Sequence, residues 1–332
     1  MLKVAIIGFG GIARLHQYAY RYHAYAGMPI KLVAACDVDP EIFRKNITIN
    51  LDIPDDLPAP PPIAEYTDWR QMLDTEHPDL IDICLPTRFH EDVAVEALKR
   101  GCAVLCEKPM AIDYAACRRM LEAATPGKLM IAHSVRFYPQ YEYLYEAVRS
   151  GRYGKVLRAR FDRVTPLPQW GNHNWRNQDP RIGSCLTELN IHDIDVMQHL
   201  FGHPQSVSCR LESRATVYDR SLAQFSYDGF DVEIFSEWQD DSGHFCMSYR
   251  VDFEQGTLTF DGTDVFFVAA DGERQPVTLP GHDGVVGEIG YFADLLLTGK
   301  PNTLNPPEQS AYTMFMLEKC FESHDCGESV AL

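Results

Sequence analysis

Val4-Ala5-Ile6-Ile7-Gly8-Phe9-Gly10-Gly11-Ile12-Ala13 decides the fold. Four apolar residues read as a short buried strand, and G-x-G-x-x-A then opens a stretch that reads as helix to about His23. Glycines there permit the tight turn and a close backbone approach to a pyrophosphate, and the small Ala13 lets helix and strand pack. Alone, the glycine pattern is equally a plain tight turn. The next strand, Lys31 to Cys36, ends in Asp37, where an acid can accept hydrogen bonds from the adenosine ribose hydroxyls. Strand, glycines, helix and acid together predict dinucleotide binding, with Gly8, Gly10, Gly11, Ile12, Ala13 and Asp37 as cofactor contacts. Asp37 repels a 2′-phosphate, and Asp39 adds to the repulsion with no adjacent cation to offset it. NAD is therefore expected to bind better than NADP. Arg14 could touch a phosphate but reads better as a solvated helix residue.

The alternation continues. Glu41 to Asn50 looks helical, and Asp52 to Pro62, with five prolines, reads as an irregular surface loop. Asp68 to Glu76 is a short helix, Leu80 to Leu85 a strand, and Asp92 to Arg100 a helix closed by Gly101. Ala103 to Cys106 is a strand, Asp113 caps the next helix, and Leu129 to Ala132 is another strand. Strands alternating with helices predict an α/β, doubly wound Rossmann sheet, all parallel, over residues 1–132.

Beyond His133 the pattern changes. A helix over Tyr141 to Ser150 is followed by strands with period-two alternation: Val156–Val164, Val207–Val217, Leu222–Tyr227, Asp231–Trp238, Met247–Phe253, Thr257–Phe260 and Val265–Ala269. Asp-Gly and Gln-Gly pairs between them mark antiparallel hairpins. Helices are expected near Cys185–Phe201, Val286–Thr298 and Pro307–Ser323. Residues 133–332 thus predict a C-terminal α+β domain with a large, mostly antiparallel open sheet, to which the family resemblance given below adds substrate binding and oligomerisation. One face of such a sheet needs cover, so a homodimer or homotetramer is expected.

Composition narrows the functional classes. The chain of 332 residues carries a formal net charge of −17, which argues against nucleic acid and anionic membrane as partners. No run of about 18 apolar residues predicts a membrane span, and the N-terminus enters a strand at once, unlike a signal peptide. Ten scattered cysteines without a C-x-x-C pair favour a reducing cytoplasm and offer no metal site.

Two further stretches carry chemistry. Val104-Leu105-Cys106-Glu107-Lys108-Pro109 ends a buried strand in a charged pair and a proline. Open α/β sheets bind ligands beyond the carboxyl ends of their strands, so Lys108 can meet both cofactor and substrate. In the helix Thr187 to His199, Glu188, His192 and Asp195 stand at i, i+4 and i+7, on one face of a regular helix. An imidazole between two carboxylates suits proton transfer near neutral pH. The same trio also reads as a salt-linked helix surface, or more weakly as a metal site. His16, His23, His77, His133, His199, His203, His244, His282 and His324 have no comparable company and read as structural or surface residues.

These stretches, with the turn Pro86-Thr87-Arg88-Phe89-His90 and with Asn174-Trp175-Arg176, make the sequence resemble the Gfo/Idh/MocA family of nicotinamide-dependent oxidoreductases over nearly the whole chain. The resemblance implies a Rossmann domain followed by an α/β domain whose open sheet packs subunits into dimers or tetramers. It implies that Lys108 contacts the substrate and nicotinamide region, and that Pro86, Thr87, His90 and Glu107 adjoin the cofactor. It also implies a histidine acid/base, here His192, and a carboxylate that binds substrate hydroxyls. The family's usual aspartate is Glu188 here, one methylene longer, and its usual Asn after the turn proline is Thr87. Both changes bear on pocket shape and hence on substrate identity.

The expectation is an NAD(H)-dependent dehydrogenase or reductase of a sugar, sugar derivative or inositol. Lys108, His192 and Glu188 are the catalytic candidates, and Asp195, Arg136 and Trp175 the substrate-binding ones; Arg136 and Trp175 read equally as packing. A non-catalytic dinucleotide-binding regulator and a glycoside hydrolase using bound NAD are the alternatives.

Overall fold

The computed structural model describes residues 1–45, 47, 53–54, 56–167, 180–239 and 243–332. The chain forms two compact units: Met1–Phe137 with His282–Ala311, and Tyr138–Gly281 with Tyr312–Leu332.

The first unit is a six-stranded sheet with every neighbouring pair parallel. Its elements are β1 (Leu2–Ile7), α1 (Gly11–Tyr25), β2 (Ile30–Cys36), β3 (Ala64–Tyr66), α2 (Trp69–Glu76), β4 (Leu80–Ile83), α3 (His90–Lys99), β5 (Ala103–Glu107), α4 (Tyr114–Ala123) and β6 (Leu129–Ala132). The strand order is β3-β2-β1-β4-β5-β6, so the direction of winding reverses between β1 and β4. β4 and β6 are buried along their whole length, as strands covered by helices on both faces must be. Asp68 and Asp113 cap α2 and α4 by accepting the N–H of Arg70 and Ala116.

Two expectations are corrected here. Glu41–Asn50 does not open as an α-helix. A 3-10 turn covers Pro40–Arg44, tightened by Asp39, which accepts the Glu41 N–H; residues 46 and 48–50 lie outside the described residues. Nor does the chain leave this unit once, at 132/133. Helix α8 (Gly284–Thr298) returns to it, and Val285, Val286, Ile289 and Phe292 share a core with Leu15, Tyr18 and Ala19 of α1. Gly290 makes room for the His23 ring, which donates to the Val286 carbonyl at 2.7 Å. An apolar helix face joins the surface that buries it, and linear order does not show where that surface lies.

The second unit is built on a nine-stranded sheet: β7 (Val156–Pro166), β8 (Ser206–Glu212), β9 (Arg220–Ser226), β10 (Asp231–Gln239), β11 (Cys246–Phe253), β12 (Gly256–Phe260), β13 (Val265–Ala269), β14 (Arg274–Pro276) and β15 (Val330–Ala331). Its order is β14-β13-β12-β11-β7-β10-β9-β8-β15, antiparallel except for β7 with β10. One face is apolar and buried, with Ala159, Phe161, Phe225, Ile234 and Val251. The helices of this unit are α5 (Pro139–Ser150), the single turn α6 (Pro180–Gly183), α7 (Ile191–Phe201) and most of α9 (Pro307–Cys326). Tyr249 on β11 donates to the Gln140 carbonyl in α5, and the Cys209 N–H on β8 donates to Ser323 in α9. β8 stops at Glu212 instead of Val217, because Asp219 gathers the N–H groups of Arg214, Ala215 and Thr216 into a loop. Among the described residues no helix is long and apolar enough to cross a membrane.

Candidate active site

The glycine turn is fixed by sterics. Gly8 has φ +86°, and a Cβ there would collide with the Cys84 carbonyl where β4 ends. Beyond the turn, the Phe9 N–H donates to Asp37 Oδ2 at 2.8 Å, while Asp37 Oδ1 accepts the Asp39 N–H at 3.0 Å. The acid at the end of β2 is thus oriented by the turn it serves. Ala13 is fully buried at the helix–sheet contact.

The start of α1 fits an anionic cofactor. α2, α4 and α8 begin on an aspartate that accepts a first-turn N–H, whereas α1 begins on Gly10, with no side-chain cap and no acid in its first turn. Its terminal N–H groups and the positive end of its dipole are left for a ligand. Two nearby expectations fail. Arg14 is not a solvated helix residue: its guanidinium lies 4.1 Å over the Phe9 ring and donates to the Ile42 carbonyl at 2.7 Å. Asp39 does have a cation, since Lys45 Nζ stands 2.5 Å from its Oδ2. The 3-10 turn carries the chain back, bringing six positions of sequence into contact.

The neighbouring strand ends complete the sheet's carboxyl edge. After β4, Pro86 leads into the turn Thr87–Phe89, with Thr87 buried. His90, fully buried at the head of α3, places its two ring nitrogens 2.7 Å from the Leu85 carbonyl and 2.8 Å from the Pro109 carbonyl. It clasps the loop after β4 to the loop after β5. Burial holds it below the usual histidine range despite these contacts, so the neutral ring donates to one carbonyl at a time. At the end of β5, Glu107 and Lys108 are half-buried, and the Lys108–Pro109 bond is cis. Glu107 Oε2 accepts the Lys108 N–H at 3.1 Å.

His16 does not lack company, as the sequence suggested. On the inner face of α1 its Nδ1 is 2.8 Å from Asp82 Oδ2 and its Nε2 is 3.2 Å from Glu107 Oε1. Tyr20 donates to Asp82 Oδ2 at 2.9 Å, and the Cys84 thiol donates to Asp82 Oδ1 at 3.5 Å. Burial disfavours charge on His16, but Asp82 and Cys84 outweigh it and hold the imidazole well above the usual histidine range. Burial likewise pushes Glu107 up, and His16, with Lys108, brings its carboxyl below the ordinary range. The overlooked signal was Asp82 itself, an acid inside a buried parallel strand, which requires a partner.

The second constellation is rearranged by the backbone. A π turn covers Leu186–Asn190 ahead of α7, so one unbroken α-helix does not carry all three residues. Glu188 sits in the π turn, 8% exposed, and His192 is half-buried on the first turn of α7. Asp195 is fully buried, with the Thr313 hydroxyl 3.3 Å from its Oδ1 and 3.0 Å from Gln198 Oε1. It stands at the joint between α7 and α9, three residues after His192 on the same regular helix. The sequence also passed over Asp193, which makes a bidentate, buried pair with Arg163 of β7 at 2.8 and 3.0 Å. Burial works against the Arg163 charge, and Asp193 more than restores it. α7 is thereby locked to the central strand one residue after His192.

Arg136 is 5% exposed and donates to the Leu304 carbonyl at 2.7 Å and to Gln309 Oε1 at 2.6 Å, which makes it a packing residue of the first unit. Trp175, with Asn174 and Arg176, lies outside the described residues.

A dinucleotide fold with a lysine at the strand edge defines a class, and comparison with known proteins gives the family. Residues 2–133 match the model of the oxidoreductase family with an NAD-binding Rossmann fold, and residues 141–259 match the GFO/IDH/MocA C-terminal domain. The chain belongs to the Gfo/Idh/MocA oxidoreductases. It is similar to D-glucoside 3-dehydrogenase of Escherichia coli K12, with 30% identity over 237 residues, 68% of this chain and 61% of that protein. The chain spans less than two thirds of the length of the curated relatives it matches. Its fold matches a levoglucosan dehydrogenase in complex with NADH and levoglucosan, with a TM-score of 0.84 and 18% identity over 99% of both chains. It also matches myo-inositol 2-dehydrogenase from Lactobacillus plantarum, with a TM-score of 0.79 and 22% identity over 100% of this chain and 99% of that one.

Proposed function

We propose that the protein is an NAD(H)-dependent dehydrogenase or reductase acting on a hydroxyl or carbonyl of a sugar, sugar derivative or inositol. The observation that carries this reading is the carboxyl edge of the first sheet. Gly8 after β1, Pro86 and Thr87 after β4, and Lys108 after β5 stand on adjacent strand ends at the reversal of winding. Bound there, NAD supplies a hydride acceptor. The first-turn N–H groups of α1 hold the pyrophosphate, and Asp37 takes the ribose hydroxyls. Lys108 stabilises negative charge developing on the substrate oxygen. His192 accepts the hydroxyl proton in the oxidative direction and returns it in the reductive one. Glu188 orients a substrate hydroxyl or the imidazole.

The names of the relatives support the substrate class, and Glu188 is the carboxylate that this reading assigns to substrate. NAD is preferred over NADP on the strength of Asp37, with the margin reduced by Lys45 beside Asp39. The protein works in the cytoplasm as a homodimer or homotetramer. All ten cysteines are free thiols, which suits a reducing compartment. The outer sheet face, with Leu222 40% exposed beside Arg160, Asp162, Glu233 and Phe235, supports assembly through the second unit.

A panel of polyols, sugars and inositols, read by NADH absorbance with NAD and then NADP, tests the reading. Turnover of at least one member with NAD is expected. Tight NAD binding without turnover of any would favour a regulator, and sugar release from a glycoside without net NADH would favour a hydrolase.

A further inference from the structure

Asp82, His16 and Glu107 form a chain of buried or half-buried ionisable groups from the middle of the sheet to its carboxyl edge. His16 belongs to the helix whose N-terminus holds the dinucleotide, Asp82 to β4 and Glu107 to the last position of β5. Their separations are 2.8 Å and 3.2 Å, and Glu107 continues the chain by accepting the Lys108 N–H at 3.1 Å. Asp82 is in turn fixed by Tyr20 at 2.9 Å. A carboxylate at a strand end ordinarily samples several rotamers in water. Glu107 has one oxygen 3.2 Å from the His16 ring of α1 and the other accepting the backbone N–H of Lys108, the peptide from which the lysine departs.

We propose that His16 is a positioning residue for Lys108, acting through Glu107, so that the cofactor helix sets the geometry of the reactive lysine. This rests on the dehydrogenase reading above, in which Lys108 contacts the substrate oxygen. His16 itself touches neither substrate nor cofactor. Its ring is fully buried beneath the edge, with Nδ1 hydrogen-bonded to Asp82 and Nε2 standing 3.2 Å from Glu107 Oε1. The link between His16 and Asp82 is a hydrogen bond and not a shared ion. His16 Nδ1, Asp82 and Cys84 place ligand atoms within 4.8 Å of one another. Yet 2.8 Å between Nδ1 and Oδ2 is a hydrogen-bond distance, shorter than two ligands around a zinc ion usually stand.

The test is a double-mutant cycle on kcat, with the polyol found in the panel and with NAD affinity measured separately by fluorescence titration. Lys108→Ala should itself be strongly impaired; if it turns over normally, the dehydrogenase assignment of Lys108 fails first, and this is seen without any His16 variant. His16→Ala should lower kcat about tenfold or more and change NAD affinity less than about threefold. Added to Lys108→Ala, it should lower kcat no further, because its effect passes through the lysine. If His16→Ala slows the Lys108→Ala enzyme by the same factor as wild type, or leaves kcat unchanged, the proposal is wrong. Should His16→Ala fail to fold, His16→Asn takes its place in the same cycle with the same expectations, since asparagine keeps a donor for Asp82 but is too short to reach Glu107. Metal analysis of the purified protein gives an independent check: a stoichiometric transition metal lost on His16→Ala would make the cluster a metal site and overturn the account.

Discussion

The two candidate regions are held in different ways. In the first unit the reactive edge rests on parallel strand ends, and its polar groups are closed beneath by other polar groups: Asp37 by the Phe9 N–H, Glu107 by His16 and the Lys108 N–H, His90 by two carbonyls. In the second unit Glu188 and His192 ride on a helix whose hydrogen-bond register changes between them. There the rigidity comes from neighbours, Asp193 on Arg163 and Asp195 on Thr313, with no regular ladder to supply it. A strand edge fixes its side chains through the sheet. A helix carrying a π turn fixes them through ion pairs at its flanks, and removing one such flank should therefore do more damage.

The largest effect is expected at that flank. Arg163→Ala leaves Asp193 buried without its cation, and should lower stability by about 3–5 kcal/mol, read by denaturant unfolding. Replacing both partners by apolar residues of similar size should recover most of the loss; if the double variant is as unstable as the single one, the pair is not what holds α7. Lys108→Ala should lower kcat on the order of 10²- to 10³-fold with little change in the unfolding midpoint. A comparable loss of stability there would blur the contrast between the two regions.

Cofactor choice sharpens the comparison on the first side. Asp37→Ala should weaken NAD by about tenfold through the lost ribose contacts, and bring NAD and NADP affinities closer in a titration. Lys45→Ala should act in the opposite direction by a few-fold, because Asp39 then repels a 2′-phosphate without its cation. Equal affinities for the two cofactors in wild type would refute the role given to Asp37.

The smallest effect concerns pH. His16 is held above the ordinary histidine value of about 6.5. Its stabilisation is therefore full below about pH 6.5 and declines as the pH rises through the folded-state value. The Tm advantage of wild type over His16→Gln should shrink by roughly 2–4 °C between mildly acidic and alkaline buffer. An advantage that grows with pH would mean the folded imidazole is neutral.

The Rossmann half was legible because it is regular. Glycines at 8, 10 and 11, the acid at 37 and the lysine at 108 occupy places that a βαβ unit dictates, and each stands at its strand end or turn. What escaped were contacts made across the sheet or by a returning chain: His16 with Asp82, Lys45 with Asp39, and α8 in the first core. In the second unit, helical spacing placed Glu188, His192 and Asp195 together on the assumption of 3.6 residues per turn. The π turn over Leu186–Asn190 breaks that assumption between Glu188 and His192, and spacing gave no sign that the Thr313 hydroxyl of α9 donates to Asp195. Periodicity reads a face only where the helix keeps its period.

The central claim is tested most directly by the turnover of His192→Ala beside its affinity for NADH. A positioned proton acceptor is worth on the order of 10²- to 10⁴-fold in rate, while the proposed dinucleotide contacts all belong to the first unit. The account predicts a loss of that size in kcat, with NADH affinity within about threefold of wild type. A variant with near-normal kcat, or one whose NADH affinity falls in step with its rate, would contradict it.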